Sequence, residues 1–131
     1  MDITNLHATI KGIPPSKSNC YKIITLKGKD GKSHASLSKS DAMKKYEQDF
    51  YIQLPPHLRN INLDCFFEFH INVYYPSQRS DLDNSLKGIL DILQFTKTIK
   101  NDNKCVSIHA YKALDKDNPR VEFKIVPVAI E

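Results

Sequence analysis

Polar and apolar residues alternate from Asn62 to Tyr75. Leu63, Cys65, Phe67, Phe69, Ile71 and Val73 fall on one side, and Asp64, Phe66, Glu68, His70 and Asn72 on the other. Alternation over this length predicts a strand with one face on a core and a wetter opposite face. Phe66 interrupts the polar side and marks it as a contact surface, for a dimer partner or a helix packed there. Elsewhere the period lengthens to three and four. Ala42, Met43, Tyr46, Phe50 and Leu54 predict a helix over 40–54, capped by Ser40 or Asp41 and ended by Pro55-Pro56. Leu82, Leu86, Ile89, Leu90 and Leu93 predict a second helix over about 81–95. Shorter strands are expected at 5–13, 20–26, 105–114 and 120–128, with Asp115–Pro119 turning between the last two. Asp30-Gly31 marks a hairpin tip or loop, and Thr96–Lys104 reads as a polar connector. The fold class expected is α/β in the α+β sense. It is a single small domain over 1–131, with a mixed β-sheet of about four to five strands packed with two main helices.

Composition narrows this picture. A chain of 131 residues, 40% of them hydrophobic, builds a real but small core, and dimerisation is a natural way to bury more. No apolar run approaches the roughly 18 residues of a membrane span, and the first ten residues lack a signal-peptide pattern, so a cytoplasmic protein is expected. Cys20, Cys65 and Cys105 form no CxxC pair, which argues against a zinc knuckle and for reduced, structural thiols. The formal charge of +4 is uneven: residues 1–60 carry ten Lys and Arg against five acids, whereas 61–131 carry nine against ten. A basic half joined to a half with clustered acids suits an anionic polymer held beside a metal ion. Gly31-Lys32-Ser33 imitates the end of a phosphate-binding P-loop, but Leu26 stands where that motif needs glycine.

The chemistry concentrates in Ser80–Asp91. Asp81 and Asp83 lie two apart where a loop becomes a helix, and Asp83, Lys87 and Asp91 follow at four-residue steps along one helix face. On a regular helix, residues two apart diverge by about 200°. Asp81 and Asp83 therefore converge only if the junction is irregular. Mg²⁺ takes oxygen ligands and keeps several waters, so one or two carboxylates plus a substrate phosphate suffice. A third acid would complete the site, and Asp102, beyond the same helix, is the candidate. Lys87 is then placed to meet a phosphate or developing charge. Each residue also has a plainer reading: Asp81 as a helix cap, Asp83 as a first-turn acid, Asp83, Lys87 and Asp91 as a surface ion-pair ladder, Asp102 as a turn former. Near the N-terminus, Pro14-Pro15 stiffens a shaped loop whose Lys17 can meet a phosphate, or which is simply a rigid turn.

Asp81-Leu82-Asp83-Asn84, Lys87 and Leu90-Asp91 resemble the RusA family of Holliday junction resolvases, which reads D-x-D-N-x-x-K-x-x-x-D followed after a gap by a further acid. Pro14-Pro15-Ser16-Lys17-Ser18-Asn19 is similar to that family's early P-P-S-x-N signature, and the order of elements matches as well. The resemblance implies a homodimeric endodeoxyribonuclease using Mg²⁺, for which Mn²⁺ can substitute. Its action would be paired nicks in four-way junctions, in DNA recombination and repair. It implies Asp81, Asp83 and Asp102 as metal-binding acids, Lys87 as the motif lysine, and Asp91 and Asn84 in support. Lys17, Asn19, Lys27, Lys29, Lys32 and Arg79 are the expected DNA contacts. Many relatives are phage or prophage proteins, so the setting implied is the cytoplasm of a bacterial or phage-infected cell. Two departures stand out: Asn101-Asp102 where the family often has adjacent acids, and no glycine between Thr96 and Lys100. A less selective branched-DNA or flap nuclease, and a DNA-binding protein that no longer cuts, remain as alternatives.

Overall fold

The computed structural model describes residues 6–16, 21–78 and 83–129, without the side chains of Tyr21 and residues 83–85. A four-stranded mixed sheet carries two helices, and a separate two-stranded hairpin stands beside it. In chain order the strands are β1 (His7–Lys11), β2 (Tyr21–Lys27), β3 (Ser33–Lys39), β4 (Phe67–Tyr75), β5 (Cys105–Leu114) and β6 (Arg120–Pro127). The helices are α1 (Asp41–Gln53) and α2 (Asp83–Phe95). The main sheet runs β1-β6-β4-β5, and β2 pairs with β3. Within the main sheet β4 and β5 run parallel, and parallel neighbours need a long crossover, which α2 supplies.

The sheet's inner face follows the predicted alternation. Phe67, Phe69, Ile71, Val73 and Tyr75 of β4 are buried beside Val121, Phe123 and Ile125 of β6. Phe50 of α1 stacks on Phe123 at 5.9 Å between ring centroids, and Phe123 meets Phe69 at 6.0 Å. Ile89, Ile92 and Leu93 of α2 complete this core. The free edge of β1 is covered by Gln53, whose side chain accepts from the Lys11 N–H at 2.7 Å and donates to the Lys11 carbonyl at 3.0 Å. That reciprocal pair satisfies backbone groups that would otherwise invite another strand.

Ser40 caps α1, its Oγ accepting from the Met43 N–H at 3.1 Å. The buried stripe of α1 departs from expectation at one place. Ala42 is exposed and Glu47 is buried in its stead. Glu47 tolerates this because the Lys39 ammonium, which also lies over the Phe95 ring, reaches its Oε2 at 2.7 Å.

Two further expectations are corrected. The strand predicted from Asn62 is regular only from Phe67. Residues 60–63 instead lie alongside 96–100, joined by Asn60 N–H to Thr96 O, Asn62 N–H to Lys97 O, Leu63 N–H to Thr98 O and Lys100 N–H to Leu63 O. Asn60 and Asn62 make this possible by adopting positive φ, a region asparagine enters more readily than most residues. The connector expected to be polar is likewise anchored in the core, with Thr96, Thr98 and Ile99 buried. The Thr98 hydroxyl donates to Leu58 O at 2.8 Å and lies 2.9 Å from the Thr96 hydroxyl, which in turn reaches Leu93 O at 3.2 Å. Both threonines are thus satisfied without water.

The same segment ends α2. Thr98 N–H returns to Leu93 O and Lys97 N–H to Gln94 O, the paired bonds of a Schellman cap, with Lys97 at φ 57° in the position usually held by glycine. A side chain there costs about 1 kcal/mol or more. Lys97→Gly is therefore expected to raise stability by about 1 kcal/mol, read as a higher urea midpoint at unchanged slope.

Among the described residues, no helix is long and apolar enough to cross a membrane. Cys65 and Cys105 are free and half-buried, and burial pushes both thiols up, which makes them poor nucleophiles.

Candidate active site

Helix α2 presents Lys87 and Asp91 one turn apart, and the chain beyond it returns a third residue to the same place. The Lys87 ammonium lies 3.0 Å from Asp91 Oδ1 and 2.9 Å from Asp102 Oδ2. Asp102 opens a short 3₁₀ turn, Asp102–Lys104, which leads directly into β5. Three local restraints hold that turn. The Asn101 side chain accepts from the Asn103 N–H at 3.0 Å, Gln94 Oε1 of α2 accepts from the Asp102 N–H at 3.0 Å, and the laced segment 96–100 precedes it. Asp102 is thereby registered against α2 through its own N–H on the Gln94 side chain.

The hydrogen bond to Asp102, and after it that to Asp91, holds the Lys87 ammonium above the ordinary lysine range. In this arrangement the Lys87 side chain is held as an ammonium. Its side chain is 59% exposed, while Asp91 and Asp102 are at 24% and 27%. The arrangement is a pair of half-buried carboxylates sharing one ammonium on a long, exposed stem, so one negative charge is left over. Carboxylate oxygens are the donors a hard divalent ion takes, and among the described residues Asp91 and Asp102 bring theirs to one point.

Of the predicted residues, Asp81, Arg79, Lys17 and Asn19 lie outside the described residues. Asp83 and Asn84 are described by backbone alone, in the first turn of α2. Lys27, Lys29 and Lys32 are exposed around the tip of the β2–β3 hairpin. That tip is closed by Gly28 N–H to Lys32 O, and Asp30 Oδ1 accepts from the Lys32 N–H at 2.9 Å. Phe66, expected as a contact surface, lies under the Lys104 ammonium at 4.8 Å.

The family described as Endodeoxyribonuclease RusA matches residues 22–126, most of the chain and the whole of this site. The chain belongs to the RusA endodeoxyribonuclease family. A curated relative, the "Crossover junction endodeoxyribonuclease RusA" of Aquifex aeolicus (strain VF5), is 26% identical over 127 residues. That alignment covers 96% of this chain and 94% of the relative.

One group escaped the sequence reading. On the sheet's open face Glu68, His70 and His109 bring three potential ligand atoms within 4.8 Å of one another. Glu68 and His70 were legible as neighbours on the polar side of β4. His109 joins them only because β5 runs parallel to β4 in the register that pairs His70 with His109. Nothing in a single sequence states that register.

Proposed function

We propose that this protein is a Mg²⁺-dependent, structure-selective endodeoxyribonuclease that resolves four-way DNA junctions by paired nicks in opposing strands, in recombination and repair. Its nuclease domain would span residues 1–131. The observation that carries this reading is the meeting of Asp102 with Lys87 and Asp91 across the α2–β5 connection. Three signature residues from two elements share one point, and a helix cap or a simple ion-pair ladder would not need the third.

Asp81, Asp83 and Asp102 are the residues that would hold the ion, which when bound stabilises charge at phosphorus and acidifies the attacking water. Asp91 holds Lys87 along the helix face and keeps its ammonium beside the acids. Lys87, charged and on an exposed stem, swings from carboxylate to phosphate as the backbone enters and stabilises the negative charge that builds there. Lys87→Ala is expected to lower the cleavage rate by about 10²- to 10³-fold, with junction affinity changed far less, as separated by single-turnover and gel-shift measurements. Asn84 would act in support of the site.

The substrate is branched DNA. Lys27, Lys29 and Lys32, with Lys17, Asn19 and Arg79, would track phosphates, so binding should weaken steeply with salt. Paired nicking calls for two sites, and a homodimer supplies them with a two-fold axis that matches the junction. The β2–β3 hairpin supports this reading, because it leaves Ile23 and Leu37 at 78% and 68% exposure on a two-stranded ribbon that has little core of its own.

The deciding experiment incubates labelled four-way junction, flap, fork and duplex with Mg²⁺ or Mn²⁺. Symmetric nicking of the junction well above the other substrates is expected. Absence of nicking with either metal overturns the nuclease reading, and equal cutting of all branched forms overturns its selectivity.

A further inference from the structure

The open face of the main sheet carries a cluster that the proposed nuclease chemistry does not use. β4 offers Glu68, His70 and Asn72, β5 offers Ser107, His109 and Tyr111, and the two strands are neighbours in a parallel ladder with Glu68 opposite Ser107 and His70 opposite His109. Strands in a ladder lie about 4.8 Å apart, so the two imidazoles are set side by side by the backbone itself. Their rings stack at 4.3 Å between centroids with planes 6° apart. Glu68 Oε2 stands 3.5 Å from His70 Nε2. The ligand atoms of all three residues lie within 4.8 Å of one another.

The geometry points to a second metal site, in which Glu68, His70 and His109 bind one first-row transition ion of the zinc class, independent of the carboxylates around Lys87. Two imidazole nitrogens and a carboxylate are a donor set that Zn²⁺ favours and Mg²⁺ does not. With metal–ligand bonds of about 2.1 Å, the ligand atoms of a tetrahedral shell stand about 3.4 Å apart. Binding therefore requires the three side chains to draw in to that spacing, and the exposed His109 and half-buried Glu68 have solvent beside them to do so. Water completes the shell from the open side.

One surrounding feature favours an ion over a mere histidine stack. Ser107 Oγ lies 2.8 Å from His109 Nε2. When that nitrogen carries the proton it donates to the serine, and Nδ1 keeps the lone pair, which is the outer-shell arrangement that orients a ligating histidine. Against it stands Lys124, which the ladder places on the other side of His70 and whose exposed ammonium must turn into solvent for a cation to bind there. The ladder is also irregular here, its register shifting between Phe67 and Glu68. An ion shared by Glu68, His70 and His109 would clip the edge strand β5 to β4 beside that irregularity.

The test uses untagged full-length protein stripped of metal, titrated with Zn²⁺ by calorimetry and followed by thermal unfolding. One ion per chain, undisturbed by excess Mg²⁺, and a Zn²⁺-dependent rise in Tm are expected. His70→Ala and His109→Ala should each weaken Zn²⁺ binding at least about tenfold and remove the Tm rise. Asp102→Asn should leave both unchanged, which separates this site from the nuclease one. Zn²⁺ binding that survives either histidine substitution, or that is lost in Asp102→Asn, overturns the proposal. So does an intense cobalt–thiolate charge-transfer band when Co²⁺ replaces Zn²⁺, since it would assign the ion to a cysteine.

Discussion

Asp102→Asn is expected to abolish junction cleavage while leaving junction binding intact. The substitution keeps the size and the backbone bonds of the turn, including the Asp102 N–H to Gln94, and removes only charge. Two consequences follow from that loss. A neutral amide is a weaker ligand for Mg²⁺ than a carboxylate. The 2.9 Å contact from Lys87 also loses its negative charge, which leaves Asp91 as the charged partner of the two. Cleavage in a single-turnover assay should fall to background at saturating Mg²⁺, with gel-shift affinity unchanged. The same result is expected of Asp83→Asn. Cleavage retained in either variant removes that residue from the metal site.

The second large effect is on stability. Ile99→Ala is expected to destabilise the protein by about 2–5 kcal/mol, read from urea denaturation. Ile99 is fully buried and forms an isolated bridge with Leu63 in the segment that laces residues 60–63 to 96–100. Its truncation leaves a cavity three residues before Asp102. Because that segment registers Asp102 against α2, cleavage should fall by more than the folded fraction accounts for. Activity that merely tracks the folded population would show that the lacing stabilises the fold without tuning the site.

The two helices and the strands β5 and β6 were legible because their patterns are local: a three-to-four stripe with a serine cap and a Pro-Pro stop, and clean alternation between turn residues. What was not legible depended on partners distant in the chain. Alternation runs on through Leu63 and Cys65, yet residues 60–63 leave the sheet to meet 96–100, a pairing visible in neither segment alone. Thr96 and Thr98 read as polar, and they are buried because their hydroxyls close on each other and on nearby carbonyls. Ala42 and Glu47 exchanged their expected places because Lys39, on a strand whose position the sequence does not reveal, neutralises the glutamate. At the site, the four-residue step from Lys87 to Asp91 is readable as a helix face. Asp102 was legible only as an acid beyond the same helix, matched afterwards by the family resemblance, and its approach to Lys87 requires the Schellman turn at Lys97, for which the chain lacks the usual glycine signal.

The β2–β3 hairpin has a consequence for dynamics. Its ladder pairs seven residues of each strand, but its outer end, from Lys27 to Ser33, is exposed throughout apart from Gly28. The ties to the rest of the protein lie toward its root, at Lys22 with Asp41 and Lys39 with Glu47. Such a ribbon opens at far lower free energy than the β4–β6 centre of the main sheet, so its amides should exchange with solvent as an early and separate group. If its lysines grip phosphates, docking must first quench that motion, and slow exchange at the tip becomes a direct readout of engaged DNA.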